Sequence, residues 1–246
     1  YLKIMQEFSC MERAYFGSTG NARKDSMLKM LHQLNLLLRA CSVPHLFLHG
    51  TVNIPNKFES VFNLLEKNPG FVAIGCTRVE TVKAYRDEIV KRFPDRKLYV
   101  ITGAEASIDK RRAIVKEMQE NPGSILLSTQ QSLSCSMNIG FVDTVIIPEL
   151  DWNDAKMSQY YFRFIRYNSL NDKTVYFVTY KGSIETNLLG LVMTKEKLTR
   201  FMRSDFSDTG DILDDFGLSM DIFEMMLQKV KDENGVRVEW GQQKIG

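Results

Sequence analysis

Five short apolar segments alternate with helical segments between residues 57 and 179, and this alternation restricts the possible folds more than any other feature of the chain. A short continuous apolar segment is typical of a strand that is buried on both faces. Strands separated by helices of about 10–15 residues predict βαβ units, and therefore a parallel sheet with helices on both faces. The predicted strands are 71–76, 97–101, 124–128, 144–147 and 174–179, and the predicted helices around them are 57–67, 79–93, 107–120 and 156–167.

The first fifty residues predict a helical segment that leads into this pattern. Leucine and methionine recur at helical spacing after Ser26, which predicts a helix with Ser26 as its N-cap and with Pro44 just beyond its end. The glycine, serine and asparagine content of residues 16–25 predicts a loop before that helix.

The predicted domain organisation has three parts. Residues 1–50 form the helical lead-in, residues 51–204 form the α/β domain, and residues 205–246 form an acidic linker with a C-terminal docking helix. Smaller elements complete this prediction, namely a helix over 183–203, the docking helix over 218–230 and a short strand at the start of VRVEWGQQKIG.

Composition narrows the class of protein without selecting a function. The chain has 246 residues, enough for a real core, and its 44% hydrophobic and 25% charged content is ordinary for a soluble globular protein. Its four cysteines form no CxxC pair, which disfavours a zinc site or a disulfide framework and indicates an intracellular setting. No apolar run approaches the roughly 18–20 residues of a membrane span, so no membrane partner is expected. The chain begins with Tyr1 rather than methionine, which indicates a piece of a longer protein.

Polar residues follow the predicted strands and mark the candidate ligand loops. In open α/β sheets, ligands bind beyond the carboxyl ends of the strands. The loops in that position are Thr77–Arg78, Thr102–Gly103, Ser128–Ser136 and Glu149–Asn153. The short hydroxyls and amides that follow the third strand are suitable for meeting phosphates or partner residues, and the same hydroxyls could instead cap the helices that follow.

Arg163 and Arg166 lie three residues apart in the predicted helix 156–167. Residues at this spacing share one helix face, so both guanidinium groups can point at one anion. The pair therefore predicts one wall of a nucleotide site, although the same spacing is common on helices that carry surface ion pairs. The chain has no GxxxxGK[ST] loop, GxGxxG loop, GxSxG elbow or HExxH helix, so a nucleotide site would be completed outside it.

Five segments then occur in a fixed order, and together they carry a resemblance. The segments are LNLLLRACSVPHL (34–46), FVAIGCTRVETVKAYRDEIVKRF (71–93), YVITGAEASIDKRRAIVKEM (99–118), LLSTQQSLSCSMNIGFVDTVIIPELDWND (126–154) and QYYFRFIRYNSLNDKTVYFVTYKGSIET (159–186). They resemble the second, C-terminal RecA-like domain of superfamily-two helicases, and among these the Swi/Snf-type DNA translocases. The resemblance covers about residues 9 to 200 and implies a RecA-like α/β domain with a mainly parallel sheet, a helical lead-in and a C-terminal tail.

The resemblance implies a catalytic role for the arginine pair. In such motors ATP lies between two RecA-like lobes, and the P-loop lysine and the Mg²⁺-binding carboxylate belong to the first lobe, which this chain lacks. The second lobe brings Arg163 and Arg166 to the γ-phosphate, with Arg166 as the finger, and Gln159 and Asn138 support the ATP site. An arginine supplied in this way can contribute roughly 10³–10⁵ in rate. The isolated chain is expected to be inactive.

The resemblance also implies nucleic-acid contacts and partners. Backbone N–H groups and small hydroxyls at the strand ends bind phosphates without reading bases. The residues expected in this role are Thr77, Arg78, Thr102, Gly103, Ser128 and Thr129. The expected partners are DNA, with RNA as the alternative, and the first lobe of the same protein, in the cytoplasm or nucleus or, for a viral member, in the host cell.

Four departures from the family pattern leave a second interpretation open. Ser136 stands in place of a glycine, Glu149 in place of an aspartate, Phe162 in place of a small residue, and Asn168–Ser169 in place of Gly-Gln. A divergent active member, as in a virus or phage, would accommodate these changes. The alternative is a catalytically inactive helicase-like module that binds nucleic acid or a protein partner.

Overall fold

The computed structural model describes residues 1–46, 55–104, 107–133, 139–151, 154–165, 172–186, 188–190, 229–232 and 235–238. It forms two compact units, one of Tyr1–Phe47 with Tyr180–Gly246 and one of Leu48–Thr179. The predicted boundaries at residues 50 and 204 stay a prediction, because residues 191–228 lie outside the described ranges.

The second unit alternates strands and helices in the predicted order. Its elements are α3 (Asn56–Lys67), β1 (Val72–Cys76), α4 (Val79–Arg92), β2 (Leu98–Ile101), α5 (Ile108–Gln119), β3 (Ile125–Thr129), β4 (Thr144–Ile147), α6 (Asp154–Tyr161) and β5 (Thr174–Phe177). The first unit contributes α1 (Leu2–Phe16) and α2 (Gly20–Ser42). Further along the chain lie β6 (Lys229–Asp232) and β7 (Gly235–Val238).

The five strands of the second unit form one parallel sheet in the order β2-β3-β1-β4-β5. Every residue of β1, β3 and β4 is buried, as expected for central strands that are covered on both faces. The predicted α/β class with a mainly parallel sheet is confirmed. The predicted strand positions agree with the structure to within two residues.

Aromatic residues of α3 and α4 fill the core on one face of the sheet. Phe58 stacks on Tyr85 with ring centroids 3.9 Å apart, and Phe62 meets Tyr85 edge-on. Phe58 and Phe62 are one helical turn apart, so both point from one face of α3 into the same layer. Such aromatic pairs contribute about 0.5–1.5 kcal/mol beyond their area burial. This packing holds α3 and α4 firmly against β1 and β3.

The edge at which the parallel strands begin, here called the amino edge, is organised around Arg96. Its Nε donates to the carbonyl of Gly123 at 2.7 Å, its Nη1 to Leu65 at 2.8 Å and its Nη2 to Gly70 at 2.8 Å. Gly70 and Gly123 end the two Asn-Pro-Gly turns of the chain. Gly123 has φ +79°, and a Cβ there would lie 3.0 Å from the carbonyl oxygen of Pro69, so only glycine fits this turn without strain.

The first unit corrects one prediction about the lead-in. Helix α2 begins at Gly20, so residues 20–25 are helical and the loop predicted over 16–25 is wrong apart from its first part. Ser26 is not an N-cap, since its hydroxyl donates to the carbonyl of Ala22 within the helix. Ala22, Arg23 and Lys24 are good helix formers, and they outweigh the glycine and asparagine before them. Helices α1 and α2 pack together and bury Phe8, Tyr15, Met30, Leu34 and Leu37.

The C-terminal part agrees with the prediction only in places. Residues 184–186 and 188–190 are helical, in line with the start of the predicted helix 183–203. Strands β6 and β7 pair in antiparallel orientation, so the predicted short strand at the start of VRVEWGQQKIG is confirmed and a docking helix that reaches Val230 is wrong. Residues 218–228 of that helix lie outside the described residues. In the part of the chain that the structure describes, no helix is long and apolar enough to cross a membrane.

Candidate functional site

The carboxyl edge is the edge at which the parallel strands end. Apart from the residues on α6 and in the turn after it, the predicted site residues that the structure describes lie at this edge. Thr77 and Arg78 follow β1, Gln130 follows β3, and Glu149 lies shortly beyond β4. Because β3, β1 and β4 are neighbours in the sheet, their ends bring these four residues together. This clustering agrees with the general position of ligand sites in open α/β sheets.

The carboxylate of Glu149 is the centre of this cluster. Its Oε2 accepts the backbone N–H groups of Thr77 at 2.8 Å and of Arg78 at 3.2 Å. Its Oε1 accepts Nη1 of Arg78 and the hydroxyl of Thr81, both at 2.9 Å. The side chain is 1% exposed, so these four hydrogen bonds replace the water that a carboxylate would otherwise hold.

Glu149 also determines how helix α4 begins. The first N–H groups of a helix have no partner within the helix, and the helix dipole is positive at that end, so an anion there is stabilised. Arg78 is the residue before α4, and its own side chain makes no hydrogen bond as a cap. A carboxylate from the neighbouring strand therefore supplies the charge that α4 requires.

Arg78 retains hydrogen-bond donors beyond this network. Within the described residues, Nη1 is the one side-chain nitrogen of Arg78 that forms hydrogen bonds, to Glu149 and at 3.3 Å to the hydroxyl of Thr77. Its side chain is 25% exposed. The backbone donors at Thr77 and Arg78 are engaged by Glu149, so a phosphate contact at these positions is left to their side chains.

Gln130 connects the ends of three strands. Its Nε2 donates to the carbonyl of Gly75 in β1 at 3.1 Å and to the carbonyl of Glu149 beyond β4 at 2.8 Å. Gln130 itself begins the short 3₁₀ helix Gln130–Leu133 that follows β3, and it is buried. The amides noted after the third strand in the sequence therefore meet other residues of the chain.

Tyr160 fixes α6 on the sheet. It is fully buried, its ring lies edge-on to Phe164 with centroids 5.3 Å apart, and its hydroxyl shares a 3.2 Å hydrogen bond with Ser128. A Cβ on Gly75 would lie 2.3 Å from Cε1 of Tyr160, so the ring occupies the space that any side chain at position 75 would need. Burial raises the pKa of the Tyr160 hydroxyl above its usual value, and the hydrogen bond with Ser128 opposes this in part.

Ser128 and Thr129 do not lie where the sequence interpretation expects. Ser128 is fully buried and faces Tyr160, and the hydroxyl of Thr129 bonds to that of Ser132 at 2.5 Å. The prediction that these two hydroxyls meet a phosphate differs from their placement in the structure. The physical reason is that β3 is central and its last residues are covered by α6 and by the 3₁₀ helix.

The loop after β2 combines a buried and an exposed residue. Thr102 is 8% exposed, and its hydroxyl accepts the N–H of Ala104 at 3.3 Å. Gly103 is exposed and has open space around its Cα. Arg111, which lies in the third of the five ordered segments, is buried and donates from Nη1 to the carbonyl of Ser132 at 2.8 Å. Of these residues, Gly103 is the accessible one.

The arginine pair lies differently from the prediction. Helix α6 ends at Tyr161, and the N–H groups of Arg163 and Phe164 bond to carbonyls three residues earlier, in a tight turn. The predicted continuation of the helix to Tyr167 is therefore wrong at Arg163, which is half-buried on the turn. Bulky aromatic residues at 160–162 and 164 lower helix propensity, which accounts for the early end.

Three predicted residues and the thiol of Cys76 complete the description. Arg166 and Asn138 lie outside the described residues. Gln159 lies on α6 and is exposed. Burial, followed by the nearby Glu149 carboxylate, raises the pKa of the Cys76 thiol well above its usual range, so this thiol stays protonated. Among the described residues, no group of three His, Cys, Asp or Glu side chains could hold a metal ion.

These features define a RecA-like α/β domain, and comparison with known proteins agrees. Residues 56–168 match the family model described as "Helicase conserved C-terminal domain". No curated protein sequence matches the chain significantly. The matched segment covers β1 to β4 with the loops that follow them and the turn at residues 162–164, here called the arginine turn, but not β5.

Solved structures with the same fold include two of a Swi2/Snf2 ATPase core from Sulfolobus solfataricus. The core in complex with dsDNA has a TM-score of 0.59 and 20% identity over 80% of this chain and 42% of that one. The core domain alone has a TM-score of 0.56 and 19% identity over 93% and 46% of the two chains. The C-terminal part of the Fun30 ATPase domain has a TM-score of 0.52 and 13% identity over 89% and 70%.

Residues 56–168 match a helicase C-terminal domain, and the fold of the described residues is that of Swi2/Snf2 ATPase cores. The resemblance inferred from the five ordered segments is thereby confirmed. The chain spans less than half of each Sulfolobus chain.

Proposed function

We propose that the chain is the second motor lobe of an ATP-dependent DNA helicase or translocase. Arg163 and Arg166 are the residues that reach the γ-phosphate of ATP, which is bound mainly by a first lobe outside this sequence. Arg166 is the finger, and Gln159 and Asn138 support the site. The family match of residues 56–168 supports a lobe of this kind.

The observation that carries this proposal is the anchoring of α6 on the ends of the central strands. Tyr160 is locked between Gly75 and Ser128, with a 3.2 Å hydrogen bond to the latter. Gln159, next to it, is exposed, and the turn with Arg163 follows directly. A rigid support of this kind holds an arginine at a defined position until a second surface closes on it.

The residues of this chain suit a phosphate better than a metal ion. Guanidinium and amide groups donate hydrogen bonds to phosphate oxygens, whereas Mg²⁺ requires oxygen ligands. We therefore assign Mg²⁺ to the first lobe. When ATP and Mg²⁺ are bound there, the arginines of this chain stabilise the charge that spreads over the transferring phosphoryl group.

The accessible groups at the strand ends support fewer nucleic-acid contacts than the sequence predicts. The side chains of Thr77 and Arg78 and the exposed backbone at Gly103 are the groups that we propose contact phosphates. Thr102, Ser128 and Thr129 are assigned a supporting role beneath them, because their hydroxyls bond within the chain. A neighbour of the same fold is in complex with dsDNA, which favours DNA as the partner.

The test of this proposal is the variant Arg166→Ala in the protein that combines this chain with a first lobe. We expect DNA-stimulated ATP hydrolysis to fall by a factor of about 10³ or more, because the developing charge loses its cation. The matched control is Arg86→Ala, which removes an exposed arginine that pairs with the adjacent Asp87. Unchanged stimulation in Arg166→Ala would overturn the motor assignment. Turnover by the isolated 246-residue chain would also contradict it.

A second candidate is a catalytically inactive module that binds a protein partner or nucleic acid. The observation that favours it is the exposure of Phe162 (41%) and Ile165 (40%) on either side of the buried Phe164. Exposed apolar side chains next to the arginine turn suit a protein contact. Loss of binding to a first lobe in Phe162→Ser, together with unchanged hydrolysis in Arg166→Ala, would favour this candidate.

A further inference from the structure

Glu149 is surrounded by the set of donors that proteins use to hold a phosphate. Two backbone N–H groups before a helix, one guanidinium nitrogen and one hydroxyl converge on its carboxylate within 3.2 Å. Oriented N–H groups at a helix start and an arginine are the usual components of an anion site. Here the anion comes from the chain itself.

We propose that Glu149 limits the strength of the phosphate contact at Thr77 and Arg78, because it occupies as an internal anion the donors that a nucleic-acid phosphate would use. This inference rests on the proposed role of these two residues in binding nucleic acid. Glu149 itself is 1% exposed and does not touch the nucleic acid. It acts through Arg78 and the backbone N–H groups.

Charge explains why the two anions compete. One guanidinium lies between the Glu149 carboxylate and solvent, and its Nη1 is 2.9 Å from Oε1. A phosphate that approaches Arg78 is attracted by one positive charge and repelled by the carboxylate behind it, so the net attraction is small. Without the negative charge at position 149, the positive charge of Arg78 is no longer opposed by a carboxylate. The hydrogen bonds that position 149 accepts from the two backbone N–H groups also become weaker.

The variant Glu149→Gln tests this directly, with fluorescence anisotropy of a short, mixed-sequence DNA duplex and the whole 246-residue chain. Each additional phosphate contact steepens the dependence of log K on log salt by about 0.9, so between about 50 and 200 mM salt the variant should lose more affinity than the parent chain, by a factor of up to about 3.5. At the lower salt concentration, the variant should bind several-fold more tightly than the parent chain.

Thermal unfolding separates this role from a merely structural one. The melting temperature of Glu149→Gln should fall, because α4 loses the charge at its start. Tighter binding combined with lower stability is the expected signature, whereas a structural role would lower both or leave binding unchanged. In the double variant Arg78→Ala/Glu149→Gln, the gain in affinity should disappear.

The matched control is Glu59→Gln. Glu59 pairs with Arg92 at 2.8 and 2.5 Å on an exposed surface, so this change alters the net charge equally and also frees an arginine. It should leave the salt dependence unchanged. If Glu149→Gln does not fold, Glu149→Asp, whose shorter side chain withdraws the carboxylate from the donors, should show a smaller gain in affinity.

The possible outcomes separate this inference from the proposed function. Binding by the parent chain without a gain in Glu149→Gln, or an equal gain in Glu59→Gln, overturns the inference and leaves the DNA role in place. Binding by the Glu149→Gln variant but not by the parent chain supports the inference and shows that the parent chain does not use this contact. Absence of binding by both proteins overturns both.

Discussion

The two edges of the sheet are held by side chains of opposite charge. At the amino edge, the Arg96 guanidinium binds three carbonyl oxygens, and at the carboxyl edge the Glu149 carboxylate binds two backbone N–H groups and the side chains of Arg78 and Thr81. The cause is the direction of the chain in a parallel α/β fold. Near the amino edge helices end with free carbonyls, as at Leu65 of α3, and the turns before the strands add the carbonyls of Gly70 and Gly123. Near the carboxyl edge helices begin with free N–H groups.

The two edges differ in what remains available to a ligand. Each terminal nitrogen of Arg96 has a carbonyl partner, so this residue serves the structure. Burial lowers the pKa of Arg96 from its usual value. At the carboxyl edge, the side chain of Arg78 uses only Nη1 among the described residues. The difference indicates that Arg78, which has unused side-chain donors beside a buried carboxylate, is the better candidate for ligand binding.

The largest effect on stability is expected from Gly75→Ala at the carboxyl edge. Its Cβ would lie 2.3 Å from the ring of Tyr160, and the buried ring has no space to withdraw. We expect a loss of about 3 kcal/mol in the free energy of unfolding, measured by chemical denaturation. The control is Gly103→Ala, where no atom of the described residues, apart from Gly103 itself and its two chain neighbours, lies within 4 Å of the new Cβ. Equal stability of the two variants would show that Tyr160 is not locked on β1.

A smaller loss is expected from Arg96→Met at the amino edge. Three carbonyls lose their donor, and we expect a loss of about 2 kcal/mol after allowance for solvent screening of the half-buried guanidinium. The matched control, Arg92→Met, removes an arginine whose pair with Glu59 is exposed, and it should change the denaturation midpoint little. If the two variants behave alike, the three carbonyl contacts do not stabilise the amino edge.

The smallest effect is expected from Tyr160→Phe, and it should depend on pH. Loss of the hydrogen bond with Ser128 should cost about 1 kcal/mol near neutrality. Because burial raises the pKa of Tyr160 in the folded state, the unfolded chain ionises first as the pH rises past about 10, and stability then falls. Denaturation series between pH 7 and pH 11 should show a gentler alkaline decline in Tyr160→Phe than in the parent chain. Parallel declines would contradict the buried position of this hydroxyl.

The strands and the order of the motifs could be predicted from the sequence because both are local patterns. Apolar runs such as 144–147 report burial directly, and β4 has those bounds. The start of α2 and the end of α6 were missed, because helix ends depend on capping and packing that the spacing of apolar residues does not show.

The network around Glu149 depends on tertiary contacts and could not be derived from spacing. Glu149 and Thr77 are 72 positions apart in the chain, and their contact arises only because β1 and β4 are neighbours. The sequence contained one signal of this contact, because Glu149 follows one predicted strand and the polar residue Thr77 follows another. Ser128 shows the converse. Its position at a strand end predicted an accessible hydroxyl, but Tyr160 covers it.

The most direct test of the central claim compares the two arginines that mark the two edges. Arg78→Ala and Arg96→Met should each be measured for binding to the same DNA duplex over a range of salt, at a temperature where both proteins are folded. We expect Arg78→Ala to weaken binding and to reduce the slope of log K against log salt by less than the value of about 0.9 for one full phosphate contact, because Glu149 already opposes part of the Arg78 charge. Arg96→Met should bind as the parent chain does. An equal effect at both edges, or none at Arg78, would contradict the assignment of the carboxyl edge to nucleic acid.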